Sequence, residues 1–139
     1  MNNSPNDHSI TFVCGNKKKI EEVIQILENF PISIKSQNID LPEYQGDPEF
    51  VATEKCKFAA NIVNRPVLID DTSLCFNALY GLPGVYVKWF LEKIGHVGLN
   101  NMLLAYSNKS AIAQCIFAYS QGPNNNVILF KGQVNGTIV

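Results

Sequence analysis

Residues 10–35 constrain the fold more tightly than any other part of the chain. ITFVC at residues 10–14 is a short apolar run bounded by Gly15, the pattern of a buried strand. Directly afterwards Ile20, Val23, Ile24 and Leu27 recur at i, i+3, i+4 and i+7, while Lys18, Glu21, Glu22 and Glu28 take wetter positions. Pro31 ends this helix, and residues 32–35 alternate apolar and polar as a second strand does. A strand, short loop, helix and strand in that order predict an α/β domain, with a mixed twisted sheet flanked by helices.

The rest of the chain extends that pattern. Residues 38–48 (NIDLPEYQGDP) read as a loop, and Ala52, Cys56, Ala59, Ala60 and Val63 trace one face of a second helix. A short strand at 67–69 is expected to end abruptly at Asp70-Asp71-Thr72, and residues 81–84 (GLPG) to form a turn. Val87, Phe90, Leu91 and Ile94 define a short helix, followed by another over 99–106 beyond Gly98. Residues 110–120 and 126–134 predict a hairpin joined by QGPNN, closed at Asn135-Gly136 before a last fragment 137–139.

Composition narrows the class. With 139 residues, 46% hydrophobic and 17% charged, the chain can bury one real core and is not a disordered segment. Its 11 basic and 12 acidic residues give a net charge of -1, with no basic excess to favour nucleic acid. No apolar stretch reaches the length of a membrane span. Cys14, Cys56, Cys75 and Cys115 are widely spaced with no CxxC pair, so neither a zinc site nor a disulfide framework is expected. The polar opening 1–9 reads as disordered and carries no signal-peptide pattern. A cytoplasmic location follows from these features as an expectation.

Three groups of residues can carry chemistry. Cys14-Gly15-Asn16-Lys17-Lys18-Lys19 spans a strand-to-helix junction, where backbone donors and the helix dipole favour an anion. It reads either as a phosphate-binding loop or as a solvated charge run at a helix start. Asp70-Asp71-Thr72 follows a buried strand, at the place where open α/β sheets bind ligands. Two adjacent acids there either hold a hard divalent cation or cap a turn. Glu43, in the loop before the second helix, is an ordinary exposed acid or a further carboxylate for that cation. Lys55 and Lys88 border helix faces, from which they reach a phosphate or simply extend to water. Trp89 is either core or part of a subunit interface.

FVCGNKKKIEEVIQIL, IDLPEYQGDP, EKCKFAA, VLIDDTSLCFNALYGLPGVYVKWFLEKIG and FKGQVNGTIV together resemble the inosine triphosphate pyrophosphatase (HAM1, noncanonical purine nucleoside-triphosphate pyrophosphatase) family. The resemblance runs from Ile10 to the end and implies a pyrophosphatase domain over 10–139. It implies magnesium-dependent hydrolysis of ITP, dITP or XTP to the monophosphate and pyrophosphate, with manganese as the alternative cation. In its terms Cys14 to Lys19, Lys55, Thr72 and Lys88 contact phosphates, and Glu43 and Asp71 hold the metal. Asp71 also orients or deprotonates water, with Lys19 as its catalytic partner. Family members form homodimers.

Two departures qualify that implication. Cys14 stands where the family has threonine or serine, and a thiol is a weaker donor than a hydroxyl. Asp70 stands where close relatives have glutamate. The family's Phe-Gly-Trp-Asp stretch, later lysine and Ser-His-Arg motif, which hold the purine, have no counterpart here: Trp89 is the only tryptophan and Arg65 the only arginine. The resemblance therefore implies an incomplete domain lacking the C-terminal part. The alternative reading is a weak or inactive homologue that retains only triphosphate and metal binding.

Overall fold

The computed structural model describes residues 9–139; of the segment expected to be disordered, all but Ser9 lies outside the described residues. The elements are β1 (Ser9–Val13), α1 (Lys17–Leu27), β2 (Ser33–Gln37), α2 (Pro48–Val63) and β3 (Val67–Phe76). A single 3-10 turn (Asn77–Leu79) leads to β4 (Pro83–Gly84), α3 (Val87–Asn101), β5 (Ser110–Ser120) and β6 (Ile128–Thr137). The strands form one six-stranded sheet in the order β2-β1-β3-β5-β6, with β4 attached to β3. The helical crossovers make β1 parallel to β2 and β3, whereas β5 and β6 run antiparallel as hairpin-type neighbours.

The largest departure from the sequence reading concerns β3. It does not stop before Asp70 but continues to Phe76, paired along its whole length with β5 from Val67↔Ser120 to Phe76↔Ala111. The parallel neighbour β1 ends first: its last partner is Ile69, opposite Val13. From Asp70 to Ser73, β3 therefore keeps its β5 edge while its other edge opens, until β4 pairs with Leu74 and Cys75. The antiparallel partner supplies the backbone bonds that let two acidic residues stay in a strand.

Other boundaries shift for local reasons. The break in the third helical region falls at Gly95 (φ 66, ψ -173) rather than Gly98, because only glycine enters that backbone region without steric cost. β6 runs through Asn135-Gly136 to Thr137, since pairing with β5 outweighs the local turn preference. β2 begins at Ser33 and extends to Gln37.

Helix α2 anchors the core. Pro48 occupies its first turn, Glu49 lies at the favourable end of its dipole, and left-handed Asn64 closes it with an N–H to the Ala60 carbonyl. Its small residues Ala52, Cys56, Ala59 and Ala60 let it sit close on Val67, Ile69, Ile116 and Ala118. A second cluster of Phe76, Leu99, Leu103 and Ala111 lies at the far end of β3 and β5, joined by Val87 and Phe90 of α3. Helix α1 buries only Val23 fully, and Ile24 stays exposed, so its apolar face is used only in part.

Ile69 is fully buried whereas Ile26 is 71% exposed. Ile69→Ala should destabilise the fold by about 2–5 kcal/mol and Ile26→Ala by about 0.5 kcal/mol or less. Urea unfolding midpoints compare the two; equal shifts would contradict the placement of the core.

Candidate active site

A cavity of about 990 Å³ opens where β1 leaves β3. The end of β1 and start of α1 supply Cys14, Gly15, Asn16 and Lys19; the loop after β2 supplies Asn38 to Leu41 and Glu43. Lys55 of α2, Asp70 to Thr72 of β3, and Lys88 and Trp89 of α3 complete its main walls.

The strand alternation of β3 decides the arrangement. Asp70 and Thr72, two residues apart, share the face towards α1, while Asp71 lies on the opposite face with Ile69, under α2. Each carboxylate meets a lysine from a different helix. The Lys19 ammonium pairs with Asp70 Oδ2 and donates a longer hydrogen bond, 3.4 Å, to Thr72 Oγ1. The Lys55 ammonium donates to Asp71 Oδ1 at 3.0 Å and lies 4.0 Å from Glu43 Oε2. Two adjacent acids, repulsive in isolation, are thus separated by the sheet and neutralised from both sides.

Electrostatics follow this packing. Burial raises the pKa of Asp71; Lys55 opposes the rise through its charge and hydrogen bond, while Asp70 and Glu43 add to it. For Lys19, burial pulls the pKa down, but the hydrogen bond and charge of Asp70 prevail and raise it. Asp71 is 8% exposed, and its Oδ2 is buried without a hydrogen-bond partner. Such an oxygen lacks something to bind.

The loop at the head of α1 is built for close approach. Asn16 is the N-cap: its side-chain oxygen accepts the Lys19 backbone N–H at 3.2 Å. The Asn16 backbone N–H in turn donates to Cys14 Sγ at 3.4 Å. Gly15 serves here by its size, since a Cβ would lie 3.0 Å from Asn38 Oδ1. Lys17 and Lys18 are exposed on the first turn and stand outside the cavity walls.

The donor set fits a hard divalent cation. Asp71 Oδ2 is unpartnered and Glu43 shares Lys55 with Asp71, so both carboxylates border one region. Among the described residues no group of three or more His, Cys, Asp or Glu surrounds one point. Water and phosphate oxygens would have to complete any such shell.

The pattern of acids and lysines brought Glu43, Lys19, Lys55, Asp71, Thr72 and Lys88 into view from sequence, and all six reach the cavity. Asn38, Asp40 and Glu92 also line it but are not among the site residues expected from sequence. Trp89, 49% exposed at its edge, lies outside both buried clusters.

An α/β sheet with this cleft at the open end of its parallel strands defines a domain suited to a phosphate-bearing ligand and a cation. The Ham1 family model matches residues 10–139, and the chain belongs to that family. The solved Ham1 protein of Staphylococcus aureus is 26% identical, with a TM-score of 0.80, and the match covers 94% of this chain and 72% of that one. A HAM1 protein from Coxiella burnetii is 24% identical at a TM-score of 0.85, over 93% of this chain and 72% of that one. A nucleoside-triphosphatase / dITP/XTP pyrophosphatase from Mycobacterium abscessus is 21% identical at 0.75, over 93% and 73%. Among the described residues no helix is long and apolar enough to cross a membrane.

The raised pKa of Asp71 fixes the sign of a pH effect. The native fold holds that proton more tightly than the unfolded chain does, so the associated stability is full below the ordinary aspartate value of 3.8 and is lost as pH rises through the native pKa. At neutral pH the charged side chain therefore costs the fold something that Asp71→Asn avoids. The variant should lose activity about 10²-fold or more, yet keep at least the wild-type urea midpoint at pH 7. A falling midpoint with retained turnover would reverse the assignment.

Proposed function

We propose that the chain is a nucleoside-triphosphate pyrophosphatase acting on ITP, dITP or XTP. The observation that carries the reading is Asp71, paired with Lys55 through one oxygen and left with the other buried and unpartnered, at the wall of a cavity that Lys19, Lys55 and Lys88 also line. Membership of the Ham1 family and the dITP/XTP pyrophosphatase among its structural neighbours point the same way.

In this mechanism Lys19 and the loop at the head of α1 hold the β and γ phosphates, and Lys55 steadies the oxygens of the α phosphate. Asp71 orients a water and takes its proton. The water oxygen bonds to the α phosphorus, the α–β anhydride bond breaks, and pyrophosphate leaves towards Lys19. Magnesium held by Glu43 and Asp71 would supply charge neutralisation at the phosphoryl oxygens. Thr72 and Asp70 keep the Lys19 ammonium at its station. The four free thiols accord with a reducing, cytoplasmic setting, and a homodimer is the assembly we assign.

With ITP and magnesium the protein should release pyrophosphate and inosine monophosphate in equal amounts, and chelation of magnesium should stop it. Release of orthophosphate instead would overturn the reading. Tight ITP binding without any release would leave the chain a binding homologue.

A further inference from the structure

The α2 side of β3 carries more chemistry than Asp71 alone. Alternation along the strand puts Ile69, Asp71 and Ser73 on that side, all of them buried. Among the described residues two buried side-chain polar atoms lack a hydrogen-bond partner, Asp71 Oδ2 and Ser73 Oγ, and they are neighbours on this face. Ser73 is 1% exposed. Gln114, directly opposite it on β5, leaves it unsatisfied, since the Gln114 side-chain oxygen accepts from the Gln133 amide on β6. The strand edge beside the pair is open, because β1 ends opposite Ile69 and β4 reaches only to Leu74. Unsatisfied buried groups are rare, and two of them side by side point to one shared partner.

We propose that Ser73 is a positioning residue for Asp71, its hydroxyl holding Asp71 Oδ2 through one buried water. The inference rests on the pyrophosphatase reading, in which Asp71 receives the proton of the attacking water. Residues two apart on a strand are separated by about 6.8 Å, too far for two short side chains standing on the sheet to bond directly. Two hydrogen bonds of about 2.8 Å in series close that gap once the side chains lean together. A buried water makes about three hydrogen bonds. Here it donates to Asp71 Oδ2, accepts from the Ser73 hydroxyl, and can accept from the Gln114 amide nitrogen opposite Ser73. Lys55 already fixes Oδ1, so the carboxylate is held at both oxygens and its plane is set. A carboxylate has about four lone-pair sites, which leaves one on each oxygen for the reacting water and the cation. Orientation fixed in advance in this way raises turnover without adding a contact to the substrate.

Ser73→Ala removes only the oxygen, so the fold persists, which urea unfolding verifies. With ITP and magnesium its kcat should fall about tenfold while KM changes by less than about twofold, because Ser73 lies behind the cavity wall and acts through Asp71. Ser73→Thr, which restores the hydroxyl, should recover most of the loss. A crystal structure of the wild type should place a water within about 3 Å of both Asp71 Oδ2 and Ser73 Oγ, and Ser73→Ala should lose it. Where the extra methyl of threonine is not tolerated, the alanine kinetics and that water decide. A wild-type kcat in Ser73→Ala, or no water between the two oxygens, would overturn the role of Ser73 while leaving the pyrophosphatase reading intact. Failure of the wild type to release pyrophosphate would remove that reading and the positioning role together.

Discussion

Strand β3 loses its parallel neighbour after three residues and keeps its antiparallel one for ten, from Val67 to Phe76. This unequal pairing gives the site its shape. If β1 continued beside β3, Asp70 and Asp71 would face a covered edge with no room for a ligand. If β5 ended with β1, the two acids would sit in a loop, and nothing would hold them on opposite faces. With one edge closed and the other open, the strand's two-residue period directs Asp70 to Lys19 and Asp71 to Lys55.

Stability and function divide along the same strand. Ile69 belongs to the cluster under α2, and Phe76 to the cluster with α3. Between them Asp71, Ser73 and Gln114 form a buried polar stretch, in which Asp71 Oδ2 and Ser73 Oγ lack partners. Burying such groups unsatisfied costs about 1–3 kcal/mol each. The apolar clusters on either side offset that cost, so the acids can be held in a setting that raises the pKa of Asp71. The shallow packing of α1 fits this division: one buried valine and a capped N-terminus suffice to present its loop and Lys19.

The sequence made the opening β-α-β unit, the second helix and the final hairpin legible, because each carries strong periodicity or clear punctuation. It misplaced the end of β3, because two aspartates in succession look like a turn when the strand that stabilises them lies about forty residues further on. The same limit hid the β6 extension through Asn135-Gly136. Glu43, Lys19, Lys55 and Asp71 stood out by residue type, but their pairing across two faces did not, since it depends on where β1 stops. Asn38 was invisible for another reason: its importance is a steric one, visible only once Gly15 is seen beneath it.

Lys19 and Lys55 are each already matched to a carboxylate, which makes the cleft an ion exchanger rather than a standing positive field. A phosphate that draws either ammonium towards itself weakens an existing pair, and the carboxylate left behind becomes a better ligand for a cation. On the function proposed above, anion and cation affinities would therefore be linked, each rising when the other is present and, by thermodynamic reciprocity, to the same degree. A free cation alone meets acids already neutralised, and a free phosphate alone meets lysines already occupied. On that reading the cleft would favour the two arriving as one salt.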